Sequence, residues 1–387
     1  MMRPAHHFLS GLVVLLVACG EAGTGPGDEA AFPGVAGALS LDLGRLPNYA
    51  SPAWPAHYDA VATGTDNTPA SSPVTDAGAT LGRVLFYDTR LSINNTISCA
   101  SCHQQGTGFT DPARFSTGVD GTGTTAAHSM RLLNARFYGP GQAFWDRRAA
   151  SLEAQATEPI RHPVEMGFDA AHGGVDSLMR KMQGLAYYPE LFQLVYGDPG
   201  ITVDRIQRAV AQYVRSLVST SSRFDAAFAA VFNPQLPDRG LNQPFPGFTA
   251  QENRGKQLFL QPPPQGGAGC AGCHVPPTFA LAANARSNGL DAGETRIFKS
   301  PSLKSVAVVG PYMHDGRFAS LAAVVEHYAS GVRNGPALDN RLRGGPDGQP
   351  QRLPLTEADK AALVAFMATL TDETIAADPK FSNPFRR

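Results

Sequence analysis

The sequence is poor in charge and lacks a bias toward either sign. Only 17% of its 387 residues are charged, the formal net charge is −1, and no long basic run is present. This composition argues against a surface for nucleic acid or acidic lipid. Alternating runs typical of strands are also lacking, whereas helical periodicity recurs at 78–87, 149–158, 175–186, 202–232, 249–260, 318–330 and 356–370. We therefore predict an all-α fold and no nucleic-acid partner.

Long hydrophobic runs are missing too, because the apolar stretch FLSGLVVLLVAC at 8–19 is too short to span a bilayer. It follows a basic residue, as in an export signal, and its end, LVAC, resembles the lipobox of bacterial lipoproteins. We expect a signal peptide over 1–19, a flexible tether and leader over 20–75, a periplasmic location, and membrane contact only through a lipid on Cys19. An ordinary signal peptide with a free Cys19 thiol is the alternative.

The length of the chain exceeds what one hydrophobic core usually serves, so two domains are expected behind the leader. The stretch NPQLPDRGLNQPFPGFT at 233–249 carries four prolines and interrupts the helical pattern. We place the domain boundary near 245, which gives an N-terminal domain over 76–245 and a C-terminal domain over 246–387.

Cysteine is scarce, and its placement is the strongest signal in the chain. Apart from Cys19, every cysteine lies in a C-x-x-C-H motif, and the two motifs are Cys99, Cys102, His103 and Cys270, Cys273, His274. Two disulfides, one zinc site built from two halves, or two c-type haems would each use these thiols. Only haem attachment requires both histidines, because two thiols on one helical turn bond the haem vinyl groups and the next imidazole binds the iron. We predict two covalent haems with His103 and His274 as proximal ligands.

The surroundings of the two motifs are also similar. Gly82 and Gly255 are each followed, after two residues, by Leu-Phe, and each glycine lies on an amphipathic stretch before its motif. A glycine in such a helix more often permits close packing than takes part in chemistry. The repeat indicates one structural unit used twice.

Further blocks extend the pattern from Leu81 to Asp372, in the order LGRVLFYDTRLS, ISCASCH, LLNARF, FWDRRAASLEAQATEPI, PVEMG, FKSPSLKSVA and PYMHDGRFASLAAVVEHY. Together they resemble the bacterial dihaem cytochrome c peroxidases and the MauG-type enzymes. The resemblance implies two cytochrome c-like domains, with a peroxide-reacting haem in the first and an electron-transferring haem in the second. It also implies hydrogen peroxide as substrate, and as partner a small electron donor (cytochrome c or cupredoxin) or an oxidisable protein. A dihaem electron-transfer cytochrome without peroxide chemistry is the alternative.

Four residues match the family's working positions around the first haem. Glu165 matches the catalytic glutamate, and its apolar neighbours predict a pKa raised by burial. Gln155 and Pro159 match positions that line the same pocket, with Pro159 expected to end the helix that carries Gln155. Trp145 matches the tryptophan between the two haems. A surface position for Glu165 and simple core packing for Trp145 are the alternatives.

The distal ligands are less clear from the sequence. His128 is a weak candidate at the first haem, and its position matches an asparagine that helps bind calcium in relatives, so calcium is only a further candidate cofactor. At the second haem the resemblance points to Tyr328, which lies 14 residues beyond His314, where peroxidases carry methionine and the MauG type carries tyrosine. Met313 and His327 are the alternatives.

Overall fold

The computed structural model describes residues 31–386. In this range the chain forms mainly helices, joined by short 3₁₀ turns and loops. The helices are α1 (Pro33–Ala38), α2 (Ala60–Thr63), α3 (Asp76–Tyr87), α4 (Cys99–Cys102), α5 (Leu152–Ala156), α6 (Glu158–Arg161), α7 (Gly174–Gln183), α8 (Tyr187–Tyr196), α9 (Val203–Ser216), α10 (Arg223–Val231), α11 (Ala250–Leu260), α12 (Leu321–Glu326), α13 (Glu357–Ala368) and α14 (Glu373–Ala377). A single antiparallel pair, β1 (His274–Val275) and β2 (Ala280–Leu281), is the strand content of these residues. This helix-rich architecture agrees with the predicted all-α class.

Two helix pairs cross at the two glycines that precede the C-x-x-C-H motifs. α3 packs on α9, and a methyl group at Gly82 would collide with the carbonyl of Ala209. α11 packs on α13 in the same way, and a methyl group at Gly255 would collide with the carbonyl of Ala362. Both glycines therefore permit close backbone approach, and the predicted duplication is visible in three dimensions.

The duplication also includes a loop that anchors each pair. Asn134 and Ser305 both have left-handed backbone conformations, with φ of 58° and 55°. The N–H of Asn134 donates to the carbonyl of Leu217, just after α9, and the N–H of Ser305 donates to the carbonyl of Leu370, just after α13. The same contact is thus made once in each half.

The long helical pattern predicted over 202–232 is divided in two. α9 ends at Ser216 and packs in the first core, whereas Phe224 and Phe228 of α10 pack with Phe245 and Phe366 in the second. The change of core therefore falls upstream of the boundary expected near 245. We call residues 76–222 the first unit and residues 223–372 the second unit.

Both ends of the described chain pack on the first unit. In the segment 31–75, Tyr49 and Tyr58 are almost fully buried, so this part of the expected leader is not free chain. Phe381, in the C-terminal tail, packs on Tyr49, and its carbonyl accepts a hydrogen bond from the Tyr213 hydroxyl of α9. Leu39 pairs with Phe385 in an isolated antiparallel bridge.

The expected signal peptide, with Cys19, lies outside the described residues. Within residues 31–386, none of the helices combines the length and the apolar character needed to cross a membrane.

Candidate functional site

The first C-x-x-C-H motif forms a short helix with an oriented histidine at its end. Cys99 and Cys102 lie at the two ends of α4, and His103 follows directly. The Nδ1 atom of His103 is 3.2 Å from the carbonyl of Phe109, so an Nδ1–H proton donated there leaves Nε2 free to bind a metal. Burial lowers the pKa of His103 to about 4, which keeps the imidazole neutral, as iron ligation requires.

The second motif has related surroundings. Cys270 opens a 3₁₀ turn, Cys273 follows it, and His274 begins β1. Burial lowers the pKa of His274 to about 4, and the carbonyl of Phe279 acts in the opposite direction. The His274 Nδ1 atom is buried and lacks a partner of hydrogen-bond geometry among residues 31–386, so it faces this carbonyl without a well-formed bond.

The alternatives for the cysteines can be compared with this geometry. The four cysteines of the motifs are unpaired in the described chain, and burial raises the pKa of each thiol. No group of three or more His, Cys, Asp or Glu side chains among residues 31–386 is arranged to hold a metal ion. The two motifs therefore do not combine into one zinc site, whereas each is arranged for haem attachment.

A cavity of about 510 Å³ opens beside the second motif. Cys270, Cys273 and His274 lie on its wall, together with Tyr328 and Met313. Its size lies within the usual range for sites that hold small molecules and cofactors. The residues on the cavity wall fit a covalently attached haem, because His274 and two of the three expected distal ligands, Tyr328 and Met313, line the cavity.

One amide lies beside both of these distal candidates. The Nδ2 atom of Asn288 is 3.3 Å from the Met313 sulfur and 3.5 Å from the Tyr328 hydroxyl. Burial raises the pKa of Tyr328, and the Asn288 hydrogen bond lowers it in part. The third candidate, His327, is buried, and its Nε2 is 3.1 Å from the carbonyl of Asn288, which occupies that nitrogen.

Glu165 lies near the first motif in partly apolar surroundings. Its neighbours Met166 and Phe168 are each 2% exposed, while its own side chain is 30% exposed. Burial raises the pKa of Glu165, and the carboxylate in turn raises the pKa of the Cys99 thiol. The expected direction of the Glu165 shift is therefore confirmed, although the side chain keeps contact with solvent.

Sequence reasoning missed the partner of this carboxylate. His162 lies three residues earlier, its Nδ1 is 3.8 Å from the Glu165 carboxylate, and its charge lowers the pKa of Glu165 against the effect of burial. The spacing of three residues is the available signal in the sequence, but His162 precedes a proline, which is typical of a loop.

The helix before Glu165 differs in detail from the prediction. Gln155 is half-buried near the end of α5, the helix is interrupted at Thr157, and Pro159 lies in the first turn of α6. Pro159 thus begins a second short helix instead of ending the first. A proline is well tolerated there because the first N–H groups of a helix have no intrahelical partner.

The loop before α5 and the loop before α12 share the same backbone design. Ala143 pairs with Ala149 in one loop and Tyr312 pairs with Phe318 in the other, both as antiparallel bridges. Each loop carries an Asp-Arg ion pair, Asp146 with Arg148 in the first unit and Asp315 with Arg317 in the second. Each loop also leads to a helix with a serine N-cap, Ser151 in the first unit and Ser320 in the second.

Counting from these shared features aligns the two halves residue by residue. Trp145 corresponds to His314, since each lies two residues after the first bridge residue. Pro159 corresponds to Tyr328, since each lies eight residues after the serine cap. A side chain without a ligand atom therefore occupies, in the first unit, the place that Tyr328 occupies in the second.

Trp145 lies at the boundary between the units. Its side chain lines the cavity of the second unit, and its indole N–H donates to the carbonyl of His128 at 2.8 Å. The imidazole of His128 is also occupied, with Nδ1 3.2 Å from the carbonyls of Ala113 and Arg114 and Nε2 3.4 Å from the Thr110 hydroxyl.

The surroundings of His128 bear on two weaker expectations, a distal ligand at the first haem and a bound calcium ion. The residue after His128, Ser129, contacts Nδ1 of His103 at 3.2 Å, which puts His128 behind the proximal ligand and makes it unsuitable as a distal one. The resemblance also implies backbone carbonyls near Val309 as calcium ligands, but the carbonyl of Val309 accepts a hydrogen bond from Arg131 at 3.2 Å. A guanidinium group at this oxygen competes with a bound cation, and calcium stays a prediction.

The two similar units, each with a pair of helices that cross at a glycine and a C-x-x-C-H motif, are features of a dihaem peroxidase-type oxidoreductase. The comparisons with known proteins agree. The family described as di-haem cytochrome c peroxidase matches residues 76–230. The methylamine utilization protein MauG of Methylorubrum extorquens is 32% identical over 324 residues, which cover 80% of this chain and 82% of that protein. The chain belongs to the dihaem cytochrome c peroxidase and MauG family.

Two further relatives represent the breadth of the family. The cytochrome c551 peroxidase of Nitrosomonas europaea is 31% identical over 271 residues, covering 64% of this chain and 71% of that protein. The crystal structure of a MauG-like protein associated with microbial copper homeostasis has a TM-score of 0.65 and 28% identity, with 88% of this chain and 98% of that one covered. The chain is thus similar both to proteins named MauG or MauG-like and to a protein named as a cytochrome c peroxidase.

Proposed function

We propose that this protein is an exported dihaem enzyme that reacts with hydrogen peroxide at the first unit and exchanges electrons through the second. One observation carries the proposal, namely that Pro159 stands where the second unit has Tyr328. Since proline offers no ligand atom, the equivalent position in the first unit would leave an iron held by His103 open to peroxide, as the chemistry requires.

When bound, the first haem supplies the iron that accepts peroxide and takes part in breaking the O–O bond. The protein supplies proton movement, which we assign to Glu165. As a carboxylate it would take a proton from one peroxide oxygen, and as a carboxylic acid it would return this proton to the other oxygen, which would leave as water. Burial raises the pKa of Glu165, which moves the carboxyl group toward the range in which it can act as both base and acid. We assign Gln155, on α5, as a hydrogen-bond donor in the same pocket.

Trp145 is the proposed connection between the two redox centres. It is part of the first unit by sequence and lines the cavity of the second, and its ring centroid is 6.4 Å from that of His314. An indole held between two such sites offers a route for electrons or for oxidising equivalents.

Tyr328 is the proposed distal ligand of the second haem, with Met313 as the alternative. A phenolate is a hard anionic donor that favours ferric iron, whereas a thioether favours the ferrous form. With Tyr328 bound, the enzyme is suited to a MauG-like use of peroxide, the oxidation of another molecule, more than to accepting electrons from a high-potential donor. The partner is then an oxidisable protein, with a small electron-donor protein, cytochrome c or cupredoxin, as the alternative.

The proposed location is the periplasm, with attachment to the membrane through a lipid on Cys19. The N-terminal sequence supports this through its export signal and the LVAC ending at the cysteine.

The spin state of the ferric first haem tests the proposal. We expect a high-spin spectrum from one of the two haems and a rapid spectral change on adding one equivalent of hydrogen peroxide. Two low-spin haems with no response to peroxide would identify the protein as an electron-transfer cytochrome instead.

A further inference from the structure

Three polar side chains with unused hydrogen-bonding capacity gather at the boundary between the two units. Tyr138 is 2% exposed and Lys299 is 5% exposed, and the Lys299 ammonium lies 5.0 Å from the centre of the Tyr138 ring. The Arg147 guanidinium is 5.7 Å from the same ring. The Tyr138 hydroxyl and the Arg147 Nε are both buried without a hydrogen-bond partner among the described residues.

The two cations in this group have no acidic partner among residues 31–386. Burial and the nearby charge of Arg147 together lower the pKa of Lys299 to about 8, with no carboxylate acting in the opposite direction. Arg147 donates to the carbonyl of Ala285 at 2.8 Å, which leaves its charge uncompensated in this part of the chain. Buried charges are normally paired, so two adjacent cations beside an unused hydroxyl point to an absent anion.

The position of the group indicates which anion that is. Lys299 lines the cavity beside Cys270, Cys273 and His274. Tyr138 packs with Leu281 and Ala285, and Cys273 contacts the same cluster. Of the three, Lys299 lines the cavity itself, and Arg147 and Tyr138 contact the cavity-lining residue Ala285.

The other cations on that wall already have partners. Arg341 pairs with Asp339 at 2.8 Å, and Arg286 donates to the carbonyl of Pro336 at 3.2 Å. Arg131 donates to three backbone carbonyls, those of Thr107, Gly108 and Val309. Among the lysine and arginine side chains of the described residues that line the cavity, Lys299 therefore has the most unused hydrogen-bonding capacity.

We propose that Lys299 binds a propionate carboxylate of the second haem, and that Arg147 and Tyr138 complete this anion site from the first unit. The site spans both units, because Arg147 and Tyr138 lie before α5 and Lys299 lies after β2. The inference rests on haem attachment at Cys270 and Cys273 and is independent of the peroxide step.

The site has a consequence for Trp145. The backbone N–H of Lys299 donates to the carbonyl of Trp145 at 2.7 Å. Binding a propionate at the Lys299 side chain thus fixes the segment that holds Trp145, so Lys299 acts as a positioning residue for the tryptophan and as an electrostatic partner for the haem.

The midpoint potential of the second haem tests the proposal, measured by spectroelectrochemistry on the dihaem protein without peroxide. Lys299→Met removes a positive charge that stabilises the more negative ferrous form, so the potential should fall. A tenfold change in the ratio of reduced to oxidised haem corresponds to about 59 mV for one electron. The potential should also become more dependent on pH between about pH 6 and about pH 9, because the unpaired propionate titrates at higher pH. Lys299→Arg should restore both properties.

Lys256 provides a matched control. Burial lowers its pKa to about 8 as well, and its ammonium donates to the carbonyls of Leu241 and Gln243 away from the cavity. Lys256→Met should leave the potential and its pH dependence unchanged. If Lys299→Met does not yield dihaem protein, the same titration on Arg147→Gln and Tyr138→Phe replaces it. A wild-type potential and pH profile in the dihaem variants would overturn the proposal. The Glu165→Gln protein, impaired only toward peroxide, should keep the wild-type midpoint potential of the second haem.

Discussion

Trp145 and His314 occupy corresponding positions in the two units and meet at the boundary, with ring centroids 6.4 Å apart and ring planes inclined by 61°. The same loop of the duplicated fold thus supplies both sides of the contact. His314 also stacks on Phe298, with centroids 4.1 Å apart. The proposed route between the two haem sites would therefore use the equivalent position of each repeat.

Replacing Trp145 by Phe tests this route. We expect the first haem to react with peroxide at a normal rate, while the spectral response of the second haem slows by roughly tenfold or more because the indole is lost. Stopped-flow spectra that resolve the two haems measure this. Trp54→Phe is the control, because Trp54 is the other tryptophan and stacks on Tyr58, with centroids 5.9 Å apart. Equal responses in both variants would remove Trp145 from the route.

The two motifs predict two covalent haems per chain. A pyridine haemochrome assay and the mass of the denatured protein should both give two, and replacing Cys270 and Cys273 by Ala should leave one. Cys19→Ser should keep both haems, since this cysteine lies outside the motifs. Purified protein that carries zinc, or a single haem in the unaltered chain, would contradict the assignment.

Glu165→Gln keeps the shape of the side chain and removes its ionisable group. We expect the peroxide reaction to slow by about 10²-fold or more, with both haems still attached. Glu158→Gln is a suitable control, because this glutamate is exposed at the start of α6. An unchanged stopped-flow rate in Glu165→Gln would show that another group moves the proton.

The pH dependence of the same reaction reports on His162. If ionised Glu165 accepts the first proton, the rate rises with pH through the Glu165 pKa, which burial raises and His162 lowers in part. His162→Gln removes the lowering influence, so the acidic limb should move to higher pH. His172→Gln is the control, because this exposed histidine contacts Asp169 at 2.7 Å. A limb that stays in place would mean that His162 does not act on Glu165.

Tyr328→Phe and Met313→Leu distinguish the two distal ligands of the second haem. With a phenolate ligand, Tyr328→Phe should raise the midpoint potential and change the ferric spectrum, and Met313→Leu should have little effect. Potentiometry and optical spectra of both variants decide between them. A far-red charge-transfer band from a thioether ligand, lost only in Met313→Leu, would assign the site to methionine.

Local signals in the sequence predict the parts of this fold that depend on local chemistry. α3, α11 and α13 begin at or within two residues of the predicted positions, because their N-cap residues Thr75, Thr249 and Thr356 and their apolar faces are set by nearby residues. The motifs at Cys99 and Cys270 are recognisable for the same reason, since thiol spacing on one turn is a local property.

Contacts between distant segments were beyond such reasoning. The break between α9 and α10 depends on Phe224 and Phe228 entering a different core, which no periodicity reports. The burial of Tyr49 depends on a tail more than 300 residues later, since its hydroxyl donates to the carbonyl of Lys380. Asn288 and Lys299 reach the site only because distant loops pack together, so their contacts could not be predicted from neighbouring residues in the sequence.

The tail that packs on the first unit also has a consequence for the order of assembly. Phe381 contributes to the cluster that contains Phe86 and Tyr213, so the core around the first motif stays incomplete until the end of the chain has been synthesised and has docked. Contacts of such large sequence separation form slowly, because loop closure precedes the gain from packing. The core beside Cys99 is therefore completed only when Phe381 has packed on it.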